Sequence, residues 1–569
     1  MSKIYSLSIK HYRGIENFQQ IFGTTNCVLL IGRGDSGKTT ILNALSSVLS
    51  SSWNMPFNDY DFTNIDTSIP IQIEVIITDV PEDLLDINKY GEYYQLMKDD
   101  GTIESNVEEE EANQNSIVLK IRLTVTETLE PTWEVISDRE IGNKSINAAD
   151  RSRFNMFMVS DYIDNHFSYT KGSPLYYALK NSLGKKDKTN IEHKFIEIRR
   201  KLYDSVKSFE SFEEFKVTSE KIKKDAQTLG LTILDLTTLL EFKSNSYSES
   251  NIVLHSSDIP YRLNGKGSKR LLSLAIQYGL AENGGIILID EIEQGLEPDR
   301  VRNITRKLAR LNDGQIFITT HSRDVVLEPS AKQIFLVRKG EDKLFSFDDD
   351  LQGKLRSKPE AFFAKRIICC EGATEEGIIR AISDDLQEKR GYGIAAQGIV
   401  HIDSGGGDKF YTLAISLKKC KFDVLVFCDD DNKDIEKSKK AAEADHVKSV
   451  RCKDGYSIED QSFEDLPWNC ICQLVEYVIN ENPANKSILS IQGQPYRTVN
   501  ELRTLDIKDQ KALRPILGKE AKQGSWYKRI DHGEFLGKIW IDNYQSLAQD
   551  CILRKELDEI RKWIGDNIE

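Results

Sequence analysis

The sequence predicts an α/β protein built from more than one domain. Three observations predict it. The chain has 569 residues, too many for one ordinary domain. Apolar strand-like runs alternate with helical runs in two blocks, one on each side of a polar stretch. A glycine-rich loop directly after the first fully apolar run opens a helix.

The elements follow in order. Residues 3–10 alternate apolar and polar as a half-buried strand does, and 27–32 read as a buried strand. A helix is expected from Lys38. IQIEVIITDV (71–80) and SIVLKIRLTV (116–125) read as strands, with Glu108 to Glu111 between them as a solvated loop insertion. From about 150 to 245 the pattern is helical, clearest at 194–209 and 212–230. Strand and helix alternate again from 251 to about 340. The polar run 338–360 reads as a linker. RIICCEG, GIVHID and KFDVLVFCDDD then mark a second strand–helix block over 366–450. The expected divisions are 1–150 and 251–345 as two parts of one nucleotide-binding domain, 151–250 as a helical insertion that serves dimerisation, 361–480 as a second α/β domain, and 481–569 as its C-terminal helical part.

Bulk properties narrow the function. No run of about 18 apolar residues exists, so no membrane span is expected. The N-terminus has no signal-peptide pattern. Nine cysteines without paired CxxC knuckles argue against structural zinc and fit a reducing cytoplasm. A net charge of −14 argues against a nucleic-acid binder. Acidic metal sites offset that argument, because bound cations reverse the local field.

GRGDSGKT, Gly32 to Thr39, fits the phosphate-loop pattern in full. The backbone of Gly32, Gly34, Asp35, Ser36 and Gly37 is expected to wrap a phosphate at the helix N-terminus, with Thr40 following. Lys38 would reach the β- and γ-phosphates of ATP, and Thr39 would ligate Mg²⁺. The strand GGIILIDE (284–291) ends in Asp290, expected on Mg²⁺ through water, and Glu291, expected to polarise the attacking water. LNGKGSKRLLSLAIQ (263–277) sets small and basic residues at a helix start. IFITTHS (316–322) carries His321 at a strand end, placed for a γ-phosphate.

A second cluster is acidic. IICCEGATEE (367–376) ends a strand with Glu371 and places Glu375 and Glu376 on a helix. VLVFCDDD (424–431) ends another strand with Asp429, Asp430 and Asp431. Parallel strands present their carboxyl ends at one sheet edge, so Glu371, Asp429 and Asp431 are expected to converge. Hard oxygen ligands select Mg²⁺ or Mn²⁺. Two such ions would suit phosphodiester cleavage.

The order of the first motifs resembles that of ABC-type ATPase heads, and Arg13 in KHYRGIENF resembles the RecF/SMC/OLD branch. The resemblance implies ATP held between two heads, hence a homodimer or larger homo-oligomer. It gives Ser268 the signature-serine role, although NGKGSKR departs from LSGGQ, and makes Arg13 a nucleotide contact. The EGxxE strand end followed by DxD resembles the Toprim fold. An ABC head fused to Toprim resembles the OLD-family nucleases. That resemblance implies that Glu459 and Asp460 (in DGYSIEDQSFEDLP) join Glu375 in a second metal site. It also implies that Lys528 (in GSWYKRIDHGEF) stabilises charge on the scissile phosphate. His532 reads as structural. The implied protein is a cytoplasmic ATP-gated DNA endonuclease, with RNA open as a substrate. The resemblance further implies a bacterial antiphage effector, alone or with a helicase or a retron reverse transcriptase and its msDNA. Two alternatives stand beside it: a non-catalytic ATP-gated nucleic-acid sensor or scaffold, and an SMC/RecF-like repair ATPase, which the lack of long heptad arms disfavours. Toprim domains also serve topoisomerases and primases. No tyrosine in a winged-helix context and no primase elements are recognisable here.

Overall fold

The structure is a computed structural model. It describes residues 2–98, 100–104, 116–139, 141–159, 164–170, 173–182, 213–233, 235–240, 252–407, 409–431, 435–481 and 498–565. The chain divides into two compact units, Met1–Pro359 and Glu360–Glu569.

Among the described residues the first unit holds two large sheets, besides a small three-stranded antiparallel one over Thr237–Leu240, Ile252–Ser256 and Ile259–Pro260. The large antiparallel one is built on β1 (Lys3–Tyr12), β2 (Ile15–Ile21), β4 (Ile71–Thr78), β5 (Ser116–Val125) and β6 (Pro131–Ile136), paired in the order β2-β1-β4-β5-β6. Its strands alternate buried and part-exposed residues, as a one-sided sheet requires. The other sheet runs β7 (Met156–Val159), β8 (Ile286–Ile289), β9 (Gln315–Thr320), β3 (Cys27–Ile31), β10 (Ile334–Leu336), β11 (Phe345–Ser346). All its pairs are parallel except the last. β3, β8 and β9 are buried along their whole length, which is why they read as unbroken apolar runs. Helix α1 (Lys38–Val48) leaves β3 through the glycine-rich loop.

Two stretches differ from expectation. Within the run that reads as helical, Met156–Val159 is an edge strand beside β8, and Thr237–Leu240 is a strand paired antiparallel with Ile252–Ser256. Described helices there are α2 (Pro174–Ser182) and α3 (Glu213–Thr228). The run 194–209 and the Glu108–Glu111 loop lie outside the described residues. The polar stretch 338–360 is more than a linker, because Leu344, Phe347, Leu351 and Leu355 are buried. Helix α4 (Lys266–Glu282) precedes β8, and α5 (Pro298–Ala309) separates β8 from β9.

The second unit is a four-stranded parallel sheet. Its strands are β12 (Arg366–Cys370), β13 (Ile399–Asp403), β14 (Asp423–Cys428) and β15 (Lys448–Arg451), in the order β13-β12-β14-β15. Helices α6 (Ala373–Arg390), α7 (Lys409–Lys419) and α8 (Glu436–Ala444) connect them. Strand order reverses between β12 and β14, and open parallel sheets take ligands at the carboxyl end of such a switch point. The chain continues as α9 (Ile458–Asp465), α10 (Trp468–Glu481), α11 (Ile507–Gln523), α12 (Ile530–Asp542) and α13 (Ile552–Ile564). These helices bury Trp540, Tyr527 and Trp526 in one core with the sheet. All nine cysteines are free, and all but Cys551 are buried. Among the described residues no helix is long and apolar enough to cross a membrane.

Candidate functional site

The nucleotide loop is shaped by its glycines. Gly32 has φ 151°, and a Cβ there would lie 2.5 Å from the Val337 carbonyl oxygen, so no other residue fits. Gly37 (φ 102°) caps α1, and Asp35 is left-handed at φ 58°. Lys38 is buried, and its ammonium donates to the carbonyls of Gly32 (3.0 Å) and Arg33 (2.8 Å) and reaches Ser36 Oγ at 3.4 Å. Burial lowers its pKa to about 8, against the pull of Asp290, Glu291, Glu293 and Asp35. An open cleft of about 840 Å³ adjoins the loop, its lining including Asp35, Gly37 and Thr40 together with Lys10, Asn17 and Lys343. A Cβ on Gly34 would meet nothing within 4 Å.

Sheet order brings the remaining motifs to the loop, because β9 lies between β3 and β8. Thr39 Oγ1 donates to Asp290 Oδ1 at 3.2 Å, and Thr319 Oγ1 donates to the same oxygen at 2.5 Å. Glu291 sits at φ 46°, a strained setting for a non-glycine residue. Two contacts hold it: its N–H donates to Thr319 Oγ1 at 2.8 Å, and Arg270 Nη2 donates to the Asp290 and Glu291 carbonyls at 2.5 and 3.2 Å. Glu293 accepts from Thr320 Oγ1 and from the His321 N–H, both at 2.7 Å, and so pins the strand end that carries His321. Burial, then Lys38, lowers the His321 pKa. Ser268 lies part-exposed in the first turn of α4. Beside it, a Cβ on Gly267 would meet the Gly295 carbonyl at 2.8 Å. Arg13 is turned elsewhere: its Nε pairs with Asp61 Oδ1 at 2.9 Å and its N–H donates to the Asp61 carbonyl.

In the second unit Glu371 and Asp429 follow the neighbouring strands β12 and β14 at the switch point. The Asp429 N–H donates to Glu371 Oε2 at 3.1 Å. Asp429 Oδ1 accepts from the Ile458 N–H at 2.6 Å, at the start of α9. Glu375 Oε2 accepts from the Gly372 N–H at 2.9 Å, while its Oε1 is buried with no hydrogen bond. Glu459 is fully buried, and neither carboxylate oxygen has a hydrogen bond. Lys528 stands among these acids, 3.7 Å from Glu459 Oε1 and 3.9 Å from Asp429 Oδ2. Lys522 pairs with Asp431 Oδ2 at 2.5 Å.

Burial sets the protonation, and the neighbouring charges adjust it. Burial, then Asp429, raises Glu371 to about 7. Burial raises Glu375 to about 7 although Lys528 opposes it. Asp429 is raised well above the carboxylate range by burial, then by Glu375 and Glu459. Burial works to lower Lys528, but Glu459, Asp429, Glu375 and Glu371 together raise it.

Other acids of the motifs are engaged elsewhere. Asp460 closes a capping box with Ser457 at the start of α9. Asp430 pairs with Lys439 at 3.2 Å, and Glu376 faces His401 at 3.4 Å. His532 bonds the Trp526 carbonyl at 2.7 Å. The donor chemistry suits a hard divalent cation, and the orphaned oxygens of Glu375 and Glu459 need a positive partner. As the side chains stand, among the described residues no three His, Cys, Asp or Glu are grouped so as to hold a metal ion.

Fold and motifs together define a P-loop ATPase head of the ABC/SMC type followed by a Toprim domain and a helical C-terminal segment. The chain belongs to the AAA_21 family ("AAA domain, putative AbiEii toxin, Type IV TA system"), whose model matches residues 27–328, more than half of it. Residues 362–431 match the model "Overcoming lysogenization defect protein-like, TOPRIM domain". Among solved structures the chain is similar to a Pyrococcus furiosus Smc head domain with an extended coiled coil, bound to the C-terminal domain of ScpA. Identity is 14%, coverage 62% of this chain and 98% of that one, and the TM-score 0.37. It is also similar to the recombination mediator RecF with ATP (12%, 61% and 99%, TM-score 0.36) and to an SMC head domain from Thermotoga maritima (12%, 61% and 99%, TM-score 0.29). Curated proteins yield no match. An ATPase domain fused to an OLD-like Toprim domain supports an ATP-dependent, nuclease-like function.

Proposed function

We propose that this chain is an ATP-gated, divalent-metal-dependent endonuclease acting on DNA phosphodiesters. The observation that carries the reading is the meeting of Glu371, Glu375, Asp429 and Glu459 around Lys528, in one chain with a full nucleotide site. Glu371, Glu375, Asp429 and Glu459 are the residues that would hold Mg²⁺ or Mn²⁺, with Asp431 joining once released from Lys522. Two such ions, when bound, supply an activated water and charge neutralisation at the leaving oxygen. Lys528 places a cation beside the acids, where it can face a phosphate. In the ATPase unit Asp290 and Thr39 would share Mg²⁺, and Glu291 would orient water against ATP.

The test is a cleavage assay on DNA and RNA with Mg²⁺ or Mn²⁺, with and without ATP. Cleavage that needs the metal and falls about a thousandfold or more in Glu371→Gln and Asp429→Asn supports the reading. No cleavage under any of these conditions overturns it.

One observation favours a second reading, a non-catalytic ATP-gated sensor or scaffold. Lys522 and Lys528 already pair with the acids, and no three of the described acids are grouped for an ion. Calorimetry with Mn²⁺ separates the two: no binding favours the scaffold. A cytoplasmic setting accords with the free, mostly buried thiols. The antiphage role, and a helicase or retron partner, rest on family resemblance alone. Loss of phage resistance in cells carrying Asp429→Asn would test them.

A further inference from the structure

Helix α11 carries Lys508, Lys511, Lys519 and Lys522. At about 100° per residue these four lie on one stripe roughly 80° wide. The helix acids Asp509 and Glu520 fall together on a different side, about 100–120° round from Lys508. Leu517, Gly518 and Ala521 point into the core. Lys508, Lys511 and Lys519 are exposed. Of the four lysines only Lys522 is ion-paired among the described residues, and its partner is Asp431 of the acid cluster.

Exposed lysines on a helix usually serve solubility alone. Two features set this stripe apart. Its charges are sorted from the helix's own acids, in a chain whose net charge is −14. Its inner end also touches the cluster itself.

We propose that this face of α11 is a rail for the phosphate backbone of a polynucleotide, leading it to the acid cluster. The proposal rests on the nuclease reading for its purpose but not for its test. From Lys508 to Lys522 the stripe runs about 21 Å at 1.5 Å per residue. Phosphates along one strand of a duplex rise about 3.4 Å apiece, so the stripe spans about six of them. Lysine meets phosphate as a point charge without reading bases, so the rail grips any sequence. At the inner end Lys522 neutralises Asp431, which keeps that carboxylate from repelling the arriving backbone.

The experiment measures binding by fluorescence anisotropy on the full chain without divalent metal, so that cleavage plays no part. Probes are DNA single strands, DNA duplexes and RNA of matched sequence, over a salt series. The rail variant is Lys508→Glu, Lys511→Glu and Lys519→Glu together. A control, Lys419→Glu, Lys555→Glu and Lys562→Glu, makes the same change in net charge at other exposed lysines of this unit. Thermal melts check that both fold. We expect the rail variant to bind tenfold or more weakly at low salt, with the salt slope shallower by about two to three. The control should bind within twofold of wild type. A rail variant that matches the control in affinity and slope overturns the proposal, as does a wild type that binds no probe. Rail-dependent binding without cleavage in any metal keeps the rail and removes the nuclease reading. Cleavage with rail-independent binding does the reverse. Comparing the probes shows whether the backbone is that of DNA or RNA.

Discussion

At the scale of single residues the second site holds carboxylates that burial first, and their neighbours second, make costly to charge. Glu371 and Glu375 are raised from 4.5 to about 7 by burial and by neighbouring acids. Their folded pKa values lie above the unfolded ones, so the stability they contribute is present below pH 4.5 and is lost as pH rises through 7. Metal-free protein should therefore melt higher at pH 5 than at pH 8, each of the two groups on its own contributing on the order of 2–3 kcal/mol. Asp429→Asn keeps an oxygen for the Ile458 N–H and removes a crowded charge. It should raise the metal-free melting temperature at pH 8 while abolishing cleavage, a stability gain at the cost of function. A melting temperature unchanged or lowered by the substitution would show that the acids do not strain the fold.

Glu293 makes the matching case in the ATPase unit. Its carboxylate holds Thr320 and the His321 N–H, so Glu293→Gln, with one oxygen instead of two, should loosen His321. The expected result is ATP hydrolysis about tenfold slower in kcat with ATP affinity within about threefold, since the loop itself is untouched. Equal losses in both would mean a merely structural role. The sequence points to Gly32, Lys38, Thr39, Asp290 and Glu291 because each belongs to a spaced pattern. Arg270 and Thr319 lie inside the quoted motifs without a role of their own and Glu293 follows one, and only the sheet order shows what they hold. Asp460 carried a second local signal: Ser457-Ile-Glu-Asp460 is a capping-box spacing, and the cap uses its Oδ2.

At the scale of elements the geometry of the acid cluster depends on how closely two helices approach. Glu375 opens α6, and Lys528 precedes α12 by two residues. A Cβ on Gly533 would lie 2.5 Å from the Thr374 carbonyl oxygen, and one on Gly537 would lie 2.9 Å from Ile378 Cα and Ala381 Cβ. On the facing helix, a Cβ on Gly377 would strike Ile530 and Gly533. These three glycines let the backbones touch, and that approach sets the distance from Lys528 to the acids. Gly537→Ala should cost about 1–3 kcal/mol by overpacking. It should also slow cleavage by pushing Lys528 outward, with substrate affinity little changed. A melting temperature within one degree of wild type would show that the helices have room to spare. The strands β8, β12, β13 and β14 were legible as apolar runs ending in acids. The four-residue strand Met156–Val159 was not, because its pairing with β8 is long-range and four residues carry too little period to read.

At the scale of the molecule one polypeptide carries a nucleotide loop in one unit and an acid cluster in the other. Gating requires that nucleotide and nucleic acid each favour the same state of the whole chain, and linkage then makes the effect mutual. If ATP tightens or weakens nucleic-acid binding by some factor, nucleic acid must change ATP affinity by that same factor. A typical coupling of 1–3 kcal/mol corresponds to about 5–150-fold. The Glu291→Gln protein suits the measurement, since it should bind ATP without consuming it and accumulate as the ATP-held dimer in light scattering. Ser268→Arg in the first turn of α4 should abolish that dimer and leave ATP binding by a single head intact, because the loop and Ser268 would serve opposite heads. Lys38→Ala should remove ATP binding and the coupling together. Nucleic-acid affinities identical with and without saturating ATP, in a protein shown to bind both, would mean that the two units share a chain without sharing a free-energy link.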